Sequence, residues 1–162
     1  MFRIALTLLC LALAPGVFPA KTSKAEDEVR AFLTRYRETI KKRDEAAVRK
    51  LYVSDGRFAF YEDGQLRYKS VDKIVKALTG MPASLDWKST YTDTEVQSLG
   101  NRIALVRTNF DSKIFNNGKQ VYGWSGVTTM VLEKGDSGWQ VLSAHSSTPK
   151  PRPAPARSDS KR

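Results

Sequence analysis

The sequence predicts a single α+β domain in which helices come first and a curved antiparallel sheet follows. Three observations carry this. Apolar residues recur at helical spacing between 26 and 52 and again between 71 and 78, and period-two alternation dominates from 84 to 147. The turns between the last four strands are short. Long strands joined by short hairpins make a meander, and the helices must cover one of its faces. A chain of 162 residues, 41% hydrophobic and 27% charged, suits one such core. That length excludes a TIM barrel or a two-domain enzyme.

Between Glu26 and Arg43 the residues Val29, Phe32, Leu33, Tyr36 and Ile40 share one helix face. Acidic Glu26-Asp27-Glu28 at the start and basic Lys41-Lys42-Arg43 at the end both favour the helix dipole. Asp44 is placed to cap a second, short helix whose face is Ala47, Val48, Leu51 and Tyr52, with Gly56 as its end. Arg57–Glu62 and Leu66–Lys69 then form a hairpin around Asp63-Gly64. Ser70 caps a third helix from Val71 to Leu78, closed by Gly80 and Pro82. Four strands follow at 84–99, 103–114, 120–132 and 139–147, separated by Gly100-Asn101, Asn116-Asn117-Gly118 and Gly135–Gly138.

The two ends have a different composition. Arg3, the apolar run Ile4–Ala14 and the break at Pro15-Gly16 are built like a secretory signal, with a cut expected between residues 20 and 25. The run is shorter than the ~20 residues a spanning helix needs, so no transmembrane span is expected. Leu9 before Cys10 and the short run ahead of it argue against a lipid anchor. Residues 1–25 are therefore read as signal and cleavage region, and the exported chain, periplasmic or secreted, then has no cysteine to oxidise. From Pro149 to Arg162 four prolines alternate at the start and five basic residues face only Asp159. This predicts an extended, disordered tail that solubilises the domain or touches anionic surfaces.

The net charge of +10 is concentrated in those ends, and the domain between them is nearly balanced. A nucleic-acid partner is not expected, because it would want a basic face on the domain itself. One Cys and one His exclude an all-protein zinc site, and no metal or cofactor is expected.

The order helix, short helix, hairpin, helix and four long strands resembles the nuclear transport factor 2-like (cystatin-like) superfamily. Within it, Lys42-Arg-Asp-Glu-Ala-Ala-Val-Arg-Lys-Leu-Tyr52, Asp55-Gly-Arg-Phe58 and the closing Gly138-Trp-Gln-Val-Leu-Ser-Ala-His-Ser-Ser147 are similar to the SnoaL-like branch. The resemblance covers residues 26–148. It implies a conical, curved antiparallel sheet wrapped around the N-terminal helices, a cystatin-like α+β barrel with a pocket between sheet and helices. Some members are isomerases, cyclases or hydrolases of small hydrophobic molecules, and others only bind ligands or oligomerise.

No motif fixes a catalytic carboxylate. Asp93 and Asp111 on the long strands are the candidates, together with His145, the one group that titrates near neutral pH. Strict alternation puts His145 on the face of Trp139, Val141, Ser143 and Ser147. A Ser-His pair is disfavoured, since Ser146 then faces the other way and Ser143 and Ser147 stand about 6.6 Å along the strand. The expected ligand-binding set is Tyr36, Tyr52, Trp87, Tyr91, Asn109, Trp124 and His145, an aromatic wall with few polar handles. Tyr122 shares a face with Trp124, and Arg107, Asn109 and Asp111 form a polar row that is either inside the cone or on its exterior. Three function classes fit. A non-catalytic module that binds a small hydrophobic or polar metabolite needs the fewest assumptions. A metal-independent acid–base enzyme comes next, and an oligomerising scaffold, such as a homodimer, is compatible with both.

Export predicts that N-terminal sequencing of the protein from its host begins between residues 21 and 26. A chain that still starts Met1-Phe2 contradicts it.

Overall fold

A computed structural model describes residues 23–149. The predicted leader and the Pro-rich tail lie outside the described residues, apart from their innermost positions. Helix α1 (Lys24–Lys42) opens on a capping box: the Ser23 hydroxyl accepts from Glu26 N, and the Glu26 carboxylate accepts from Ser23 N. Its other end stops at Arg43, in the left-handed region at φ 56°. Asp44 caps α2 (Glu45–Arg49) through Ala47 N. The second helix is shorter than its apolar pattern suggests and does not run to Gly56. Leu51 and Val53 instead exchange backbone bonds with Val141, which pulls Tyr52 into a bridge with that strand.

The hairpin β1 (Ala59–Glu62) and β2 (Gln65–Tyr68) turns on Asp63 and Gly64, both at positive φ, as the twist of a two-residue turn demands. Helix α3 (Val71–Thr79) follows, although the Ser70 side chain makes no capping bond. The long strands are β3 (Leu85–Ser98), β4 (Ile103–Asn116), β5 (Lys119–Gly135) and β6 (Gly138–Ser147). They make one six-stranded sheet in the order β2-β1-β6-β5-β4-β3. It is not purely antiparallel. The β1–β2 hairpin docks on β6 with β1 parallel to it, which extends the meander around the helices.

Three groups of side chains meet in the core. Val29, Phe32 and Leu33 of α1, Val48, Leu51 and Tyr52 around α2, and Ile74 and Val75 of α3 pack on Val106, Met130, Leu132, Trp139 and Val141. Burying each such Val, Leu or Phe is worth about 1.5–3 kcal/mol. Exposed ion pairs such as Arg49–Glu45 are worth about 0–1 kcal/mol each, so the helix–sheet seam carries the stability.

Two irregularities shape the sheet. Along β5–β6 the register passes from Val131↔Ser143 to Leu132↔Val141, so Leu142 is an extra residue and the strand changes faces there. Trp139 and Val141 are buried before it, and Ala144 and Ser146 after it. In β5, Gly126 lies where β6 ends. A Cβ on it would stand 2.0 Å from the Ser147 carbonyl oxygen and 3.2 Å from the Phe110 ring, so no side chain fits without moving backbone.

Gly126→Ala should therefore lower the unfolding free energy by about 1–3 kcal/mol, read as a lower urea midpoint with unchanged slope. An unchanged midpoint would contradict the close approach at this bend.

Candidate functional site

Between the concave face of the sheet and the helices lies a cavity of about 300 Å³. Strand β4 supplies Val106, Thr108, Phe110 and Ser112 to its floor, every second residue as a strand must. Strands β5 and β6 add Thr128, Met130, Ala144 and Ser146. The walls are Leu33, Tyr36 and Arg37 of α1, Tyr52, Phe60 of β1, and Ile74, Ala77 and Leu78 of α3. Trp87, Tyr91 and Thr94 of β3 and Trp124 of β5 also line it, with Glu62, Tyr68, Met81 and Val141.

Most of the hydroxyls on this apolar surface are bonded in pairs. Tyr36 and Tyr52 share a hydrogen bond of 2.9 Å, Thr94 and Thr108 one of 2.8 Å, and Thr128 and Ser146 one of 2.8 Å. Ser89 and Ser112 meet at 2.7 Å, and Thr108 also donates to the Thr92 carbonyl. One buried group has no partner at all. Among the described residues, the indole Nε1–H of Trp87 is the only buried side-chain N or O group without a partner. Such a group costs about 1–3 kcal/mol relative to a satisfied one. The Trp87 ring stacks on Trp124 at 5.9 Å between centroids, and Trp124 meets Tyr122 at 5.4 Å.

Three tyrosines have raised pKa values. Burial is the largest cause for Tyr36, Tyr52 and Tyr91 alike. Tyr91 adds to it at Tyr36, where the bond from Tyr52 opposes it; Tyr36 and Tyr91 add to it at Tyr52; and a bond to Ser89 and the Arg37 guanidinium oppose it at Tyr91. Arg37 lies over the Tyr91 ring at 4.8 Å. Among the described residues, Glu62 is the only carboxylate on the lining, partly exposed and paired with Arg67 at 3.4 Å.

Several expected residues are elsewhere. His145 is exposed on the outer face, because the extra residue Leu142 reverses the alternation that would have placed it with Val141. Ser146 takes the inward position instead. Asn109 is also exposed, and its side chain donates to the Asp93 carboxylate at 2.8 Å in a bulge of β3. Asp111 pairs outside with Lys113 at 2.7 Å. The row Arg107, Asn109, Asp111 is thus the exterior, and none of His145, Asp93 or Asp111 lines the cavity. Tyr36, Tyr52, Trp87, Tyr91 and Trp124 do line it. The sequence reading missed Thr108, Ser112, Thr128, Ser146, Arg37 and Glu62. The first two were within reach, since they share parity with Val106 and Phe110 on β4.

No cluster of three or more His, Cys, Asp or Glu side chains suited to a metal occurs among the described residues. None of their helices is long and apolar enough to cross a membrane.

The sequence profile of the SnoaL-like domain matches residues 29–151. The chain belongs to the SnoaL-like family. Its fold is that of the nuclear transport factor 2-like superfamily, as three solved structures illustrate. A superfamily protein from Salmonella enterica serovar Typhimurium aligns at TM-score 0.66 and 15% identity, over 80% of this chain and 94% of that one. A ketosteroid isomerase-like protein from Erwinia carotovora atroseptica aligns at 0.61 and 18%, over 80% and 100%. A protein of unknown function from Shewanella oneidensis aligns at 0.59 and 24%, over 75% and 97%. At these identities the likeness shows the fold alone. No curated protein matches the sequence.

In this SnoaL-like domain the raised tyrosines have a direct consequence. Their neutral form is favoured in the folded state, so their contribution is full below pH ~10 and is lost as pH rises beyond it, where the unfolded chain ionises first. Spectrophotometric titration of Tyr36→Phe, Tyr52→Phe and Tyr91→Phe against wild type should show that each ionises only above the ordinary tyrosine range. Ionisation of any of the three near pH ~10 in the folded protein contradicts this.

Proposed function

We propose that the protein is an exported, non-catalytic module that binds a small, largely apolar molecule in the cone. The observation that carries the reading is the cavity itself. It is lined mainly by aromatic and aliphatic side chains, and most of its hydroxyls are paired, Tyr36 with Tyr52, Thr94 with Thr108 and Thr128 with Ser146. Pockets that hold small molecules combine such walls with a few polar groups. A proton-abstracting enzyme, the reading that the name of the Erwinia protein invites, needs a base in contact with its substrate. Here that task would fall to Glu62, which is at the edge of the lining and engaged with Arg67. Export rests on the composition of residues 1–25.

Oligomerisation is compatible with this reading. Tyr61, Leu66 and Val127 are exposed apolar residues, and Tyr61 and Leu66 are paired neighbours on the β1–β2 hairpin.

Binding is tested with the uncharged fluorophore phenylnaphthylamine. Its emission should rise on saturable binding to the wild type. Ala77 is exposed and on the lining, so Ala77→Trp should obstruct the opening and weaken binding at least tenfold without lowering the thermal midpoint. No saturable binding to the wild type, or equal affinity in the variant, would overturn the reading.

A further inference from the structure

We propose that Trp87 selects the ligand, and that the ligand is a planar, uncharged molecule carrying a hydrogen-bond acceptor that takes the Trp87 Nε1–H. This rests on the reading of the cone as a small-molecule site and adds the chemical class of its occupant.

The fold can satisfy an indole when the ring is purely structural. Trp139 is buried and donates its Nε1–H to the Glu28 carboxylate at 3.1 Å, and Lys134 joins the same carboxylate. Trp87 is treated differently. Its ring lines the cavity and its Nε1–H is buried without a partner. Ser89, two residues along the strand, and Ser112, opposite it on β4, are bonded to each other. An acceptor delivered into the cavity is what this donor lacks, and a hydrocarbon would leave it stranded.

Planarity follows from the neighbouring rings. Trp87 and Trp124 are stacked with 29° between their planes, and Tyr122 continues the strip to solvent, where it is 61% exposed. Flat aromatic or conjugated ligands bury the most surface against such a strip. The absence of charge follows from the ionic groups on the lining. Glu62 is paired with Arg67, the Arg37 guanidinium lies over the Tyr91 ring, and the rest of the lining carries no charge. An ionised ligand would give up its hydration for apolar walls.

The test compares indane with indanone, the same bicyclic frame without and with a carbonyl, by calorimetry. The wild type should bind indanone about tenfold more tightly than indane. Trp87→Phe keeps the flat ring and removes the donor, so it should bring the two affinities together by weakening indanone alone. The wild-type protein gives an independent reading: the Trp87 indole proton should move downfield with indanone and not with indane. Equal affinities in the wild type overturn the proposal. So does a preference that survives Trp87→Phe, which would move the handle to the Tyr36–Tyr52 pair. Tighter binding of indane carboxylate than of indanone overturns it as well, in favour of Arg37. If neither indane nor indanone binds the wild type, the reading of the cone as a binding site fails with it; indane binding without discrimination removes only the role of Trp87.

Discussion

The extra residue at Leu142 decides what the concave side of this domain is made of. Before it, β6 is held by the chain that leaves α2, through the exchange of Val141 with Leu51 and Val53 and through Gln140, whose amide donates to the Lys50 and Tyr52 carbonyls. After it, the same strand is held by β1, with Ser143 opposite Ala59 and His145 opposite Tyr61. The bulge itself lies in the pairing with β5, on the other edge of β6, and it falls between the segments held by these two partners. Trp139 and Val141 thereby join the core, Ala144 and Ser146 become cavity floor, and His145 goes outside.

Helix α1 keeps the cone open because it is fixed at both ends of β3. Glu26 accepts from Ser98 N at one end, and Arg43 donates to the Leu85 and Met81 carbonyls at the other. Held at that span, the helix buries Val29 and Phe32, while Leu33, Tyr36 and Arg37 border the remaining space. The paired hydroxyls let that space exist without a ligand, since each buried oxygen already has a bond. Trp87 is the exception, and its ring is stacked on that of Trp124, also on the lining.

Local signals in the sequence were sufficient for most of the fold. Helix faces, the Asp44 cap and the Asp63-Gly64 and Asn117-Gly118 turns depend on neighbouring residues and are read directly. The parallel docking of β1 on β6 is a long-range event with no local marker, and it brings Glu62 opposite Ser146 at the cavity. The site was legible where aromatic residues mark it, at Tyr36, Tyr52, Trp87, Tyr91 and Trp124. It was not legible on β6, because Leu142 carries no glycine or proline to announce a bulge and unbroken alternation gives the opposite face. On β4 the parity was clear but its sense was not. Arg107, Asn109 and Asp111 could have lined a polar pocket until the burial of Val106 and Phe110 fixed which side faces in.

The central claim is that the functional surface is this concave face, with the parity set by the Leu142 shift. Nuclear Overhauser contacts from bound indane to protein side chains test it residue by residue. Contacts are expected to Thr108, Thr128, Met130 and Ala144, and none to Val127 or the His145 ring. Contacts to Val127 and His145, with none to Thr108 or Ala144, would contradict it.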